Sequence, residues 1–429
     1  MGTWLRILYL SGRLNSLYLL SSLVLMSGVS DEVLTLDAVL VRAAQRAPAV
    51  LLSKADADLQ SARAEQARVP LVPTLAGSAG VSAGVDSGPS ASVVSDAGLS
   101  AKWLVFDFGR TAGAVRSADL VAEAASRDVS TTGIQAAVAA GSAFLSLTAN
   151  LSLIEERKLI AQERTRLLEI AQARVDAGAA APVETIRARV SLSTAMLDVS
   201  SAEAAALGDA TALARALGIE PAGMLPVVPA PALEVDDDPT RASDLAERKR
   251  PELEVQRLRL ESAEAAVASV RASAWPWLTA NAAAGARWLS STPPANGASE
   301  DASVGAVLSV PLYDPSIAAS VSVSEAQVLV AKAELEARRT SIRGEAAQAA
   351  ILVRAQKAQL SSAEELARQA DQNYAQAAGR YQLGAAALLE LVDAETQQSS
   401  ARLVSIQARS QLEVAKLRLL AATGALAIP

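Results

Sequence analysis

The feature that most constrains this chain is that it is written twice. Ala47-Pro48 returns as Arg250-Pro251, and the Pro73 of VPTLAGSAG returns as the Pro276 of WPWLTANAAAG, both displaced by 203 positions (251 − 48 and 276 − 73). Further on, Arg174-Val-Asp-Ala-Gly178-Ala-Ala-Ala returns as Arg380-Tyr-Gln-Leu-Gly384-Ala-Ala-Ala, and Leu217-Gly218 as Thr423-Gly424, displaced by 206 (380 − 174 and 424 − 218). A near-constant displacement along most of the chain means one structural unit duplicated in tandem, so whatever the first half builds the second must build beside it. The change of offset falls where Asp86-Ser-Gly-Pro-Ser and Ser291-Thr-Pro-Pro-Ala-Asn-Gly read as turns, which tolerate insertion. The organisation that follows is a leader over 1–30, a first repeat over 31–225, a linker over 226–240 marked by prolines and Asp236-Asp237-Asp238, and a second repeat over 241–429.

In the leader, Arg6 and Arg13 precede the apolar run from Leu17 to Met26, and Gly28-Val29-Ser30 offers small residues for cleavage. This is the pattern of a secretory signal peptide, the other reading being a short membrane anchor. The apolar run is too short to favour spanning, and no Cys follows it to carry a lipid. Beyond it no stretch of about 20 apolar residues is found, so no transmembrane helix is expected.

With no cysteine and no histidine among 429 residues, thiol nucleophiles, disulfides, thiolate metal sites, histidine-dependent triads and zincins are excluded. No Gly-Lys-Ser/Thr phosphate loop occurs, and Met1, Met26, Met196 and Met224 do not make a metal route. No catalysis, metal or cofactor is therefore expected. A net charge of −7 speaks against nucleic acid as a partner. Aromatic residues are only 3% of the chain. Alanine takes their place, and small faces suit helices packed closely on two sides.

Each half reads as helix, strand, strand, long helix, helix. Leu36, Val39, Leu40, Ala43 and Ala47 open the first helix, with Thr35 as N-cap. A helix from about 111 to 176 carries Phe144, Leu147, Leu151 and Ile154 at steps of three and four; its counterpart, about 316 to 378, carries Leu335, Ile342, Ala346, Ala349 and Val353. At 1.5 Å per residue each is roughly 100 Å long and needs partners along its length, in a coiled-coil rod or a tube wall.

Between the helices the periodicity changes to two. Over about 73–106, Leu75, Ala79, Val81, Ala83 and then Ala97, Leu99, Ala101, Trp103 alternate with small or polar residues. Over about 275–313, Leu278, Ala280, Ala282, Ala284, Ala286 and Trp288 do the same, followed by Ala302, Val304, Ala306, Leu308 and Val310. Four such strands of about ten residues or slightly more have the pattern of a transmembrane β-barrel. Trp103, Phe106, Phe108, Trp275, Trp277, Trp288 and Tyr313 lie at strand ends, as membrane-interface girdles require. Four strands cannot close around a lumen, and an open edge in lipid leaves backbone groups unsatisfied, so the barrel must be shared between copies.

Leu34-Thr-Leu-Asp-Ala-Val before Ala47-Pro48, Pro70-Leu-Val-Pro73-Thr, Phe106-Asp-Phe-Gly-Arg110, Val310-Pro-Leu-Tyr-Asp314 and the duplicated Gly-Ala-Ala-Ala junctions occur in an order that resembles the outer membrane efflux protein (TolC-like) family. The resemblance implies a mainly α fold with a β-barrel contribution: a homotrimer forming a 12-stranded transmembrane barrel in outer-membrane lipid and an α-helical barrel across the periplasm. It implies a passive conduit of a tripartite export system, for multidrug efflux or type I secretion, docked to a periplasmic adaptor and an inner-membrane transporter. The competing class is a periplasmic adaptor or other coiled-coil interaction protein.

The conduit must close at its periplasmic end, where Gly178 and Gly384 suit the positive φ of the helix turns. By resemblance, Glu390 and Asp393, one turn apart on a helix, form acidic rings at the aperture. Tyr381 and Glu184 match a latch between hairpins, whereas the family's Arg is Ala386 here. Either Arg380 substitutes for it or the gate is latched differently.

Overall fold

A computed structural model describes residues 33–85, 91–220, 223–292, 297–383 and 385–426. The leader 1–30 and the turn residue Gly384 lie outside the described residues. The first half runs α1 (Leu36–Arg46), α2 (Pro48–Arg68), β1 (Thr74–Val85), β2 (Ala91–Phe106), α3 (Arg110–Asp176) and α4 (Pro182–Leu217). The second repeats it: α5 (Pro239–Lys249), α6 (Pro251–Ala272), β3 (Trp277–Thr292), β4 (Gly297–Ser309), α7 (Pro315–Gln382) and α8 (Leu388–Ala422).

Each half therefore has one helix more than the sequence pattern predicts. Pro48 and Pro251 occupy the first turns of α2 and α6, where a missing N–H costs nothing. The residues before them, Ala47 and Arg250, are forced to extended ψ of 144° and 125°, which ends α1 and α5. Thr35 caps α1 as expected, accepting from Ala38 N at 3.3 Å. Both long helices are launched by an aspartate: Asp107 accepts from Gly109 N (3.2 Å) and Thr111 N (2.7 Å), and Asp314 from Ser316 N (2.9 Å).

The strands are 12, 16, 16 and 13 residues long, more than the lipid layer alone requires. They form one antiparallel sheet in the order β1-β2-β3-β4, so the two halves are joined through β2 and β3. No strand pairs the outer edge of β1 or of β4 among the described residues.

Near the sheet α3 packs against α2 and α6, and α7 against α6; farther away α3 packs against α4 and α8, and α7 against α8. Close approach is visible in the residues: Ser269 Oγ donates to Arg110 O at 2.7 Å and Ser117 Oγ meets Ser262 Oγ at 2.9 Å. At mid-length α1 lies on α3 and α5 on α7, each over its own apolar cluster. The segment from 223 to 238 runs over them as extended chain, with Leu34 N donating to Pro226 O (2.9 Å) and Val228 N to Leu34 O (3.0 Å). By length and composition α3 is apolar enough to cross a membrane, which the sequence reading did not expect. Its apolar residues from Ala137 to Ile154 are instead core beneath α1 and α4. A further cluster, around Leu167, Ala171, Tyr381, Leu388 and Leu391, closes the far end.

Candidate functional site: a two-faced sheet and a helical tip

The strand registers sort the sheet into two chemistries. Leu75, Ala101, Ala282 and Val304 stand in one row, and Gly77, Leu99, Ala284 and Ala302 in the next on the same face. Leu75 is 75% and Val304 89% exposed, and Val81, Leu99, Trp103, Trp288 and Leu308 on this face are also exposed. On the opposite face Lys102 and Asn281 share a row, as do Gly80, Asp96, Arg287 and Ser299, with Asp301 beside Gly285. Glu300 is the charged exception on the apolar side, opposite Ala286 near the Trp288 end. A continuous exposed apolar sheet face in a chain with a polar reverse is a surface for lipid on one side and water on the other.

The aromatic residues gather unevenly. Trp103, Phe106, Phe108, Trp275, Trp277 and Tyr313 all lie at the end of the sheet next to the helices, and Trp288 near the other end. Phe106 and Phe108 meet edge to face at 4.7 Å, Phe108 stacks on Trp275 at 5.5 Å, and Trp103 Nε1 donates to Leu71 O at 3.1 Å. Trp277 lies on the polar face, its ring 5.5 Å from the Arg110 guanidinium. The helix-side belt is thus a packed cluster as well as an interfacial one.

At the far end two helix turns are built alike. Gly178 has φ +71°, and Ala179 N donates back to Arg174 O at 2.8 Å. In the second half Ala385 N donates to Arg380 O, also at 2.8 Å, the same bond displaced by 206 (385 − 179). Tyr381 is buried with the Arg174 guanidinium 4.8 Å above its ring, and its hydroxyl has no partner within the described residues. Oε2 of Glu184 is likewise buried without one. No hydrogen bond joins Tyr381 to Glu184 among the described residues. Arg380 pairs with Glu390 across its own turn and also donates to Ala385 O at 3.4 Å. Asp393 is exposed and has no cationic partner among the described residues.

Sequence reasoning missed what lies just above the tip. Arg164 Nη1 of α3 is 3.1 Å from Glu395 Oε2 of α8, and Arg164 Nη2 donates to Thr396 Oγ1 at 3.1 Å. Beyond it Asp371 accepts from Gln398 (2.8 Å) and Arg402 Nε (2.9 Å), and Arg402 reaches Glu156 at 3.3 Å. Burial pushes the Glu395 carboxyl up to about 7 against the pull of Arg164, with Glu163 adding to the rise. The signal was present: Leu388, Leu391, Glu395, Gln398 and Arg402 step by three and four, so polar groups occupy a helix seam that apolar residues normally fill.

A search of curated proteins finds no match. Among solved structures the chain is similar to the outer-membrane channel OprN (22% identity, TM-score 0.74, covering 91% of this chain and 89% of that one). It is similar too to the CmeC outer membrane channel of Campylobacter jejuni (16%, 0.75, 91% and 85%). A third is the open state of the MtrE outer membrane channel of Neisseria gonorrhoeae (18%, 0.73, 91% and 88%). At these identities the likeness is one of fold, and it extends over nearly the whole of each chain. The sequence pattern of outer membrane efflux proteins matches residues 39–219 and 242–425, one span in each repeat. A duplicated chain with an open amphipathic sheet and a long helical wall, matched over both repeats, belongs to the outer membrane efflux protein family.

Proposed function

We propose that this outer-membrane efflux channel works as a homotrimer, three four-stranded sheets closing into one 12-stranded barrel that the helices continue into the periplasm. The observation that carries this reading is the sheet itself: two edges unpaired among the described residues and an apolar face exposed in the single chain. Such edges are tolerable in lipid only when another strand covers them. Segment 1–30 acts as the export signal, and the helical tip meets a periplasmic adaptor that couples it to an inner-membrane transporter. Transport through it is passive, the family's members being channels. The test is extraction and conductance: the chain requires detergent, runs as a trimer, and conducts in planar bilayers. A monodisperse monomer in plain buffer would contradict it.

The tip is the gate in this reading, and its charge is asymmetric. Because Arg380 neutralises Glu390 locally, Asp393 supplies most of the fixed negative charge at the aperture. Asp393→Asn should therefore lower cation selectivity more than Glu390→Gln. Equal losses would show that Arg380 turns away from Glu390 in the assembled tip. Tyr381 and Glu184, each with a buried unpartnered oxygen, serve as latch groups awaiting a partner from a neighbouring chain. Tyr381→Phe with Glu184→Ala should raise single-channel conductance, and unchanged conductance removes the latch.

A further inference from the structure

In the lower wall the α3/α4 hairpin and the α7/α8 hairpin of one chain touch along α3 and α8. At the tip this contact is apolar, through Leu167, Ala171, Leu388 and Leu391. One turn farther in it becomes a charge pair, Arg164 with Glu395, whose side chains are 6% and 3% exposed. The pair takes one partner from each hairpin, and Arg164 Nη2 donates a hydrogen bond to Thr396 beside it. The two tips therefore cannot move apart as rigid hairpins without separating these groups.

Burying an ion pair adds little net stability, but leaving one partner buried alone is strongly unfavourable, so such a pair fixes register rather than strength. We propose that Arg164 and Glu395 are positioning residues of the gate: a buried Arg–Glu clasp holding the α7/α8 hairpin in register on the α3/α4 hairpin and setting how readily the tip opens. This rests on the gated-tip reading above. Nothing in the clasp touches the permeating solute; it acts through the helices.

The clasp also titrates. The charged and titratable groups around it are Arg164 and Glu163 on α3, Asp371 and Tyr374 on α7, and Arg402 on α8 itself. Burial dominates over Arg164 and holds Glu395 at about 7, whereas parted and solvated it returns towards its ordinary 4.5. The docked form thus keeps a proton that the parted form releases. Its advantage is complete below the ordinary value and is lost as pH rises through 7, so alkaline conditions favour opening. A carboxyl whose two states differ this much changes the open-to-closed ratio by roughly thirtyfold per chain between pH 5.5 and 8.

The experiment is the open probability of the full-length channel in planar bilayers at pH 5.5 and 8, for the wild type, Glu395→Gln and Arg164→Met, with trimer assembly checked for each. Wild type should open more at pH 8. Glu395→Gln, which keeps the shape and cannot ionise, should lose the pH step and stay at the low-pH level. Arg164→Met should open more than wild type at pH 8, because without the cation the carboxyl must take up a proton from alkaline solution before it can dock. A full pH step in Glu395→Gln, or unchanged opening in Arg164→Met, overturns the clasp. Should Arg164→Met fail to assemble, Glu395→Gln decides alone. Tyr381→Phe with Glu184→Ala separates the two readings: if this tip variant alters conductance while the pair variants do not, only the clasp fails. A wild-type channel that never closes removes the gate and the clasp together.

Discussion

The two repeats dock a short helix onto a long one at the same height and do so with opposite chemistry. Where α1 meets α3, the contact is made by small residues: a Cβ added to Gly133 would stand 3.2 Å from Ala44 O, and one added to Gly141 would stand 2.9 Å from Leu40 and 2.7 Å from Leu417. Where α5 meets α7, the positions equivalent to Ala44 and Gly133 are Glu247 and Arg339 (247 − 44 = 203; 339 − 133 = 206), and Arg339 Nε donates to Glu247 Oε1 at 2.6 Å. Ala137 likewise becomes Arg343, which binds Glu247 and Asp244 and whose carbonyl accepts from Ser243 Oγ at 2.9 Å. Ala47, buried in the first half, becomes Arg250, held by Glu252 and Glu345. Duplication has preserved the path of the chain and not the forces along it. Both waists rest on an apolar cluster, but the first is completed by close contact of small residues and the second by charge, which gives each a separate response to salt, pH and mutation.

That contrast breaks most sharply at Arg250. Replacing it by the first half's residue, Arg250→Ala, leaves the nearly buried Glu252 with only the more distant Arg338, 3.5 Å away, and should cost about 3 kcal/mol of local stability, read as faster amide exchange across α5 with α1 unchanged. Equal acceleration in both would mean the two waists are one cooperative unit. Gly133→Val should cost somewhat less, about 1–3 kcal/mol, because the backbone of Ala44 has to retreat; here α1 exchanges faster and α5 does not. Glu247→Gln should have the smallest effect of the three, its partners being half exposed, and 1 M salt should erase most of that difference. Arg343 and Arg339 hold the Glu247 carboxyl below the usual carboxylate range. Its contribution is therefore present above the ordinary value of 4.5 and fades as pH falls through the lowered one, so acid below about pH 4.5 should loosen α5 before α1.

Much of this was legible before any coordinates. The repeat offset of 203 to 206 announced two copies of one path, and the switch from steps of three and four to alternation located the strands. The extra break in the first helix was written in Pro48 and Pro251, but the apolar steps run on through Ala47 and conceal it. Joining of the repeats through β2 and β3 was hidden, since alternation gives each strand its faces and says nothing about its neighbours. At the tip, Gly178 and Glu390 could be found from the repeated junction and Tyr381 from the family resemblance, whereas the pairing of Arg380 with Glu390 depends on how the turn bends a side chain back. Arg164 and Glu395 are 231 positions apart (395 − 164), and only the polar interruption of a helix seam betrays them.

The most direct measurement exploits the absence of cysteine from the chain. On the polar face Ser78 of β1 and Ser299, Asp301 and Ser303 of β4 point the same way, but two strands separate them within one sheet. At about 4.8 Å per strand that is roughly 14 Å, twice the reach of a disulfide. Ser78→Cys combined in turn with Ser299→Cys, Asp301→Cys and Ser303→Cys, oxidised in intact outer membranes, should give for at least one pair a covalent ladder that ends at three chains. Only single chains for every pair, or a ladder continuing past three, would contradict a barrel shared by three copies.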